Sequence, residues 1–223
     1  MRLTQADHAR VTAAVAQAER ATDGEIVTVV AGQSDAYHDV ALHWTVLGML
    51  LALAVLATWP GLVETLHGIV ADPWSEPPTI RAALTTALIV AAVAFLLFRL
   101  LFAWAPLRLA LTPRATKARR VRRRALGLFR ASAEQRTRAA TGVLLYLSLA
   151  EHRAEIIADA TIHTKVTPDV WGEAMAALIL GLRDNRPGDG MAEAVAQIGA
   201  VLAEHFPRSH DDTNELPDRL IVL

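Results

Sequence analysis

Two long uncharged apolar stretches in the first half of the chain constrain its fold more than any other feature. The first stretch, Val40 to Trp59, has 20 residues, and the second, Ala82 to Phe98, has 17. A helix rises 1.5 Å per residue, so 20 residues make about 30 Å, the thickness of the hydrocarbon core of a bilayer. The sequence therefore predicts two transmembrane helices, over residues 40–59 and 82–104, because the second stretch stays mostly apolar beyond Phe98.

Two other interpretations of these stretches are less consistent with the rest of the chain. The chain has 223 residues, is 53% hydrophobic and contains no cysteine, which excludes a disordered protein or a small disulfide-rich one. A soluble protein of this size has little other material to surround two such helices in a core. A cleaved signal peptide is not expected, because 39 residues with three arginines precede the first stretch. We therefore expect both spans in the mature protein.

Ionisable residues within the spans lie near their ends. Arg99 is close enough to the end of the second span for its long side chain to reach the lipid headgroups. His43 lies near the start of the first span and is interpreted as a neutral interfacial residue. Neither position indicates a proton relay or a metal ligand.

The basic residues that flank the spans predict the orientation. The connection from Pro60 to Arg81 is interpreted as a loop, because Pro60-Gly61, Pro73 and Pro77-Pro78 interrupt it, and Arg81 is its one basic residue. The second span is followed by Arg108, Arg114, Lys117, Arg119, Arg120, Arg122, Arg123 and Arg124. Basic segments stay in the cytoplasm, so both termini are predicted to be cytoplasmic.

The same basic segment has two possible partners. Juxtamembrane lysine and arginine residues are attracted to anionic lipid headgroups by about 1 kcal/mol each. Nucleic-acid binding is the alternative, but the segment lacks the interleaved aromatic residues that stack on bases, and no recognition motif accompanies it. We therefore predict a lipid-facing basic flank and no nucleic-acid partner.

The residues outside the spans have the pattern of one α/β domain. A capping box at Thr4 to Asp7 begins an N-terminal helix, and the β-branched run EIVTVV predicts a buried strand over 25–30. A helix is predicted over 117–138, followed by strands over 142–149 and 154–158 that form an antiparallel hairpin. Helices over 168–185 and 189–205 come next, separated by Arg186-Pro187-Gly188-Asp189-Gly190.

This element order predicts a small sheet with one parallel crossover and one antiparallel hairpin, flanked by helices. The two-helix membrane hairpin interrupts it. The expected organisation is a first helix and strand in residues 1–39, the membrane hairpin in 40–105 with its loop in 60–81, the remainder of the domain in 106–208, and a tail in 209–223. Leu220 to Leu223 is expected to add an edge strand or to dock on the sheet.

The ordered set of motifs resembles the TPM domain family. The similar segments are EIVTVVA at 25–31, TGVLLYLSLAEHRAEIIAD at 141–159 and RPGDG at 186–190. The resemblance extends to the subgroup in which two spans interrupt the domain, and it implies an α/β protein of the bacterial inner (plasma) membrane. It also implies a possible divalent metal site and acid-phosphatase activity, because both have been proposed for some members.

The residues that would carry this metal chemistry are mostly replaced. Family members have an Asp-Asn pair before the glycine of the second strand, whereas this chain has Ala140 and Thr141. Asp159 is the one carboxylate left at that end of the hairpin, while a hard cation needs several oxygen ligands. Asp159 is therefore expected to pair with Arg136 or Arg138, with a calcium or magnesium ligand as the alternative.

Other polar groups have simpler structural interpretations. Glu151-His152-Arg153 is expected to be an exposed turn, and Asp35 and His38 a polar linker. Asp189 is expected to cap the last helix through backbone N–H groups. A weak metal site on the tail is the alternative for four residues, which are His205, His210, Asp211 and Asp212.

The sequence contains no nucleophile elbow, phosphate-binding loop, dinucleotide fingerprint or HExxH motif. We therefore predict a membrane-anchored module, without catalytic activity or a required cofactor, that binds lipids and other membrane or envelope proteins. A weak metal-dependent phosphatase is the main alternative, and a transporter or channel formed by oligomerisation is a third.

Overall fold

The computed structural model describes residues 3–70, 78–132, 141–209, 216 and 218–223. It divides into two compact units. Unit 1 combines Met1–Asp35 with Arg114–Leu223, and unit 2 is Ala36–Pro113. The compact unit that contains the chain termini is therefore discontinuous in sequence.

Unit 1 contains a four-stranded mixed sheet with the order β3-β2-β1-β4. Its strands are β1 (Glu25–Ala31), β2 (Gly142–Ser148), β3 (Arg153–Ala158) and β4 (Ile221–Val222). β1 pairs in parallel with β2 and with β4, and β2 pairs antiparallel with β3. These pairings confirm the predicted fold class, and the C-terminal segment forms an edge strand.

Alternation of side chains along the strands produces two cores, one on each face of the sheet. Ile26 and Val30 of β1 pack on one face with Leu145 of β2 and with the helices α1 (Gln5–Ala18), α8 (Gly172–Arg183) and α9 (Pro187–His205). Val27 and Val29 point to the opposite face, where α6 (Arg114–Ser132) packs. The sheet is therefore buried on both faces, as its nearly continuous apolar strands predict.

The helix ends differ from the predicted ends where local chemistry competes with the apolar pattern. The predicted helix over 168–185 is a 3₁₀ turn at Pro168–Trp171 followed by α8. The predicted 117–138 helix begins at Arg114, and Ser132 is its last described residue. A short helix, α7 (Ala160–Lys165), follows β3 and was not predicted, since six residues give little periodic signal.

Unit 2 consists of α2 (His38–Thr58), α3 (Pro60–Val70), α4 (Ile80–Leu101) and α5 (Ala105–Leu111). α2 and α4 are long and apolar enough to cross a membrane. They pack together where Gly48 leaves room for the ring of Phe98. The interpretation of 60–81 as a loop was wrong for its first half, because Pro60 occupies the first turn of α3, where a missing N–H is tolerated.

Candidate functional site

The basic flank, which is Arg114, Lys117, Arg119, Arg120, Arg122, Arg123 and Arg124, lies on α6. Val121, Ala125 and Phe129 form the buried side of this helix at intervals of four residues, which leaves most of the basic side chains on the exposed side.

Two residues of the basic flank form ion pairs with acidic residues of unit 1. Arg120 Nη1 lies 3.0 Å from Asp35 Oδ1, and Arg122 Nη1 lies 3.7 Å from Glu155 Oε2. Burial raises the pKa of Glu155, whereas the positive charge of Arg122 lowers it. The exposed Arg119 and Arg123 form no ion pair with any residue that the structure describes, so they are available to an external anion.

Asp159, the candidate metal ligand, lies between the end of β3 and the start of α7. It is 5% exposed, and its Oδ2 accepts a 2.9 Å hydrogen bond from the backbone N–H of Gly142. Beside it, the Thr141 hydroxyl donates to the carbonyl of Asp23 at 3.0 Å. One Asp159 oxygen therefore joins the start of β2 to the end of β3. The expected ion-pair partners, Arg136 and Arg138, lie outside the described residues, as does Ala140.

A second polar group, the carboxyl-end cluster, consists of Ser34, Tyr146, Ser148 and Glu151. Glu151 Oε1 accepts a 2.9 Å hydrogen bond from the backbone N–H of Ser34, and its Oε2 accepts one from the Ser148 hydroxyl. Ser34 Oγ and the Tyr146 hydroxyl are 2.9 Å apart. The expectation of an exposed Glu151 was wrong, because this residue is 6% exposed. Its side chain points from the β2–β3 turn back toward Ser34 and Ser148 at the ends of β1 and β2.

The turn geometry explains why sequence reasoning missed this cluster. His152 adopts the left-handed conformation, with φ of 50°, which allows a tight turn directly after Glu151. One signal was available in the sequence: Tyr146 and Ser148 are polar residues at alternate positions of an apolar strand, so they share a face. The linker interpretation of Asp35 was also incomplete, because this residue pairs with Arg120.

The carboxyl-end cluster occupies the edge of the sheet where α/β proteins commonly bind ligands. Here its hydrogen-bonding groups are used internally. Burial raises the pKa of the Tyr146 phenol, and the nearby Glu151 carboxylate adds to this effect, whereas the hydrogen bond with Ser34 lowers it. Tyr146 is therefore neutral at physiological pH. The hydrogen bonds of this cluster connect the loop after β1 to the β2–β3 turn.

An acidic cavity of about 260 Å³ lies near the opposite end of β1. Glu19, Glu25 and Asp218 line it together with Arg20 and Arg208. The pKa of Glu19 is raised to about 8. Burial is the main cause and the charges of Glu25 and Asp218 contribute, whereas the hydrogen bond from the Ile26 N–H opposes the shift. Glu19 therefore keeps its proton to a higher pH than an ordinary glutamate does.

The RPGDG segment forms the turn between α8 and α9. The expectation that Asp189 caps α9 through backbone N–H groups was wrong, since Asp189 lies inside the first turn and pairs with the side chains of Arg10 and Arg186. Gly181 and Gly190 allow the two helices to approach closely, because a Cβ on either residue would meet the backbone of the other helix. This segment therefore has a structural explanation.

Within the described ranges of the chain, no three His, Cys, Asp or Glu residues form a group that could hold a metal ion. The proposed tail site falls mostly outside those ranges, because His210, Asp211 and Asp212 are not described. His205 is described, and its carbonyl accepts a 3.4 Å hydrogen bond from Lys165.

Comparisons with known proteins give one family and one similar solved structure. Residues 106–201 match the model of the TPM domain. This match begins after α4, so it does not itself show that the two apolar helices interrupt the family domain. The NMR structure of the BA42 protein from the psychrophilic bacterium Bizionia argentinensis has a TM-score of 0.58 and 17% identity, covering 100% of this chain and 97% of that chain.

No curated protein sequence matches this chain. The similarity to BA42 shows a shared fold and nothing about activity, since the two chains are only 17% identical. Residues 106–201 of this chain are therefore similar to the TPM domain, and the fold is shared with BA42.

Proposed function

We propose that this chain is a membrane-anchored TPM module that acts by binding. In this proposal α2 and α4 cross the bacterial inner membrane, both termini lie in the cytoplasm, and unit 1 contacts lipid headgroups and other membrane or envelope proteins.

The exposure of apolar side chains on α2 and α4 is the observation that carries this proposal. Leu50 and Leu51 of α2 are 53% and 58% exposed, and Leu88 and Leu97 of α4 are 70% and 62% exposed. α4 has no buried residue along its length. A core helix of a soluble protein would bury these side chains, each worth about 1.5–3 kcal/mol when removed from water. Lipid provides the missing apolar environment.

The charge distribution supports the proposed orientation. The basic flank begins at Arg114, 13 residues after α4 ends at Leu101. The connection between the two spans, residues 60–81, has Arg81 as its one lysine or arginine. Short basic segments stay on the cytoplasmic side of the membrane. Arg119 and Arg123 then lie close in sequence to the anionic headgroups of the cytoplasmic leaflet.

The internal use of the buried carboxylates supports binding over catalysis. Both oxygens of Glu151 accept hydrogen bonds, and an Asp159 oxygen accepts the Gly142 N–H. A catalytic carboxylate must instead reach a substrate or a metal-bound water.

Thiol labelling tests both insertion and orientation, because the chain has no cysteine of its own. Gly68→Cys places one thiol between the spans, and Ser209→Cys places one near the C-terminus. In intact spheroplasts, a membrane-impermeant maleimide is expected to label the first variant and to label the second only after lysis. Release of the chain by alkaline carbonate, or labelling of Ser209→Cys without lysis, would contradict the proposal.

Phosphatase assays test the binding role. The purified chain is expected to show no metal-dependent hydrolysis of p-nitrophenyl phosphate with Mg²⁺, Ca²⁺ or Mn²⁺. Turnover that requires one of these ions and disappears in Asp159→Asn would establish the enzyme instead.

A further inference from the structure

A groove of about 720 Å³ lies between α3 and α4 of unit 2. Its walls are apolar: Leu66 and Ile69 come from α3, and Ile89, Val93 and Leu97 come from α4. The groove is not expected from the sequence, because the sequence predicts a loop over residues 60–81. A groove of this kind, apolar with a few polar groups at one end, is the usual form of a small-molecule site.

The polar groups of this groove gather where α4 begins. Thr79 caps α4 by accepting a 3.3 Å hydrogen bond from the N–H of Ala82, and Arg81 and His67 line the groove nearby. Arg81 is exposed, and no acidic side chain is among the described residues that line the groove. The N-terminus of α4 adds the partial positive charge of the helix dipole. This end of the groove is therefore suited to an anion.

The length of the groove suits a lipid chain. From Arg81 to Leu97, α4 rises about 24 Å at 1.5 Å per residue, which exceeds the roughly 15 Å that one leaflet contributes to the hydrocarbon core. An acyl chain can therefore lie along the apolar wall while its headgroup stays beside Arg81.

We propose that the α3–α4 groove binds one acyl chain of an anionic phospholipid, with the lipid phosphate at Arg81, His67 and Thr79. This inference rests on the proposed membrane insertion, and it places the lipid in the leaflet opposite the basic flank. A second copy of the chain is a less suitable occupant, because a twofold contact through α4 would bring two Arg81 side chains together.

Lipid retention by the detergent-purified full chain tests this proposal. Dioleoyl phosphatidylglycerol and dioleoyl phosphatidylcholine are supplied in equal amounts, and the lipid that stays bound is identified by native mass spectrometry. Phosphatidylglycerol is expected to be retained preferentially. Arg81→Gln should lower this preference about fivefold, the factor that corresponds to about 1 kcal/mol for one cation. Arg81→Lys should restore it.

Two matched controls separate the groove from the general surface of α4. Arg99→Gln removes the other arginine of α4, which does not line the groove, and should lower the preference less than Arg81→Gln does. Val93→Trp fills the groove and should reduce retention of both lipids, whereas Leu96→Trp, at a position outside the lining, should not. Circular dichroism confirms that each variant is folded.

The proposal is overturned if the folded chain retains both lipids equally, or if Arg99→Gln has the effect of Arg81→Gln. Efficient disulfide crosslinking of Val93→Cys in membranes would show that a second copy fills the groove instead. Failure of membrane insertion is detected separately by carbonate extraction, so it is distinguishable from failure of lipid selectivity in detergent.

Discussion

At the scale of single residues, Glu151 shows how a turn residue becomes part of a buried network. Its carboxylate satisfies the backbone N–H of Ser34 and the hydroxyl of Ser148. Glu151→Ala leaves both donors without this partner, so we expect the free energy of unfolding to fall by about 1–3 kcal/mol. Thermal unfolding of the detergent-solubilised chain measures the loss. The exposed Glu173→Ala is the control, and equal losses in the two variants would contradict this role.

Glu19 makes stability depend on pH. Its pKa rises from 4.5 to about 8 on folding, so between these values the folded chain keeps a proton that the unfolded chain releases. Stability attributable to Glu19 therefore falls as the pH rises through this window. Glu19→Gln removes this dependence. Because solvent screens the partly exposed group, we expect the variant to gain about 1–2 kcal/mol on the wild type between pH 5 and pH 8.

Denaturant unfolding at several pH values measures this gain. The exposed Glu204→Gln provides the matched control and should show no such gain. A constant difference between Glu19→Gln and the wild type across the window would be inconsistent with the raised pKa.

At the scale of elements, the contact between α8 and α9 depends on glycine. A Cβ on Gly181 would meet the backbone of Gly190 and the carbonyl of Arg186, neither of which can rotate away. We expect Gly181→Ala to lower the free energy of unfolding by about 1–3 kcal/mol through overpacking. Gly127 of α6 has open space around its Cβ position. Gly127→Ala should therefore stabilise the chain by up to about 1 kcal/mol, through helix propensity alone.

Thermal shifts of the two glycine variants in opposite directions would support this explanation of the RPGDG turn. A stabilising effect of Gly181→Ala would show that α8 and α9 can move apart without lowering the free energy of unfolding.

At the scale of the whole molecule, unit 1 should fold without the segment that interrupts it. Asp35 and Arg120 form a 3.0 Å ion pair, and Arg114 precedes Arg120 by about 9 Å of helix. A Gly/Ser linker of about eight residues can join Asp35 to Arg114, because its mean span is about 16 Å. We expect this shortened chain to be soluble without detergent and to unfold cooperatively.

Size-exclusion chromatography and thermal unfolding measure this outcome. The same shortened chain with Val121→Asp, a change at a fully buried position of α6, should fail to fold. Aggregation of both shortened chains would show that unit 1 requires unit 2.

Much of the fold followed from local sequence patterns. The β-branched run at 25–30 and the apolar runs around the β2–β3 turn have short-range signals, and their strands appear at the predicted places. The two long apolar helices, α2 and α4, have the strongest signal, because their length and lack of charge are visible in the sequence. These features depend on the hydrophobicity and conformational preferences of neighbouring residues.

The polar clusters and the α3–α4 groove depended on the tertiary structure. Glu151 forms a hydrogen bond with Ser34, which is distant in sequence, and Glu19 lies near Asp218. α3 forms one wall of the groove because it packs beside α4. The sequence alone determined which segments avoid water and which form strands or helices, because those preferences are local. Only the folded chain decided which polar groups meet, because burial and hydrogen bonding between residues far apart in sequence depend on how the elements pack.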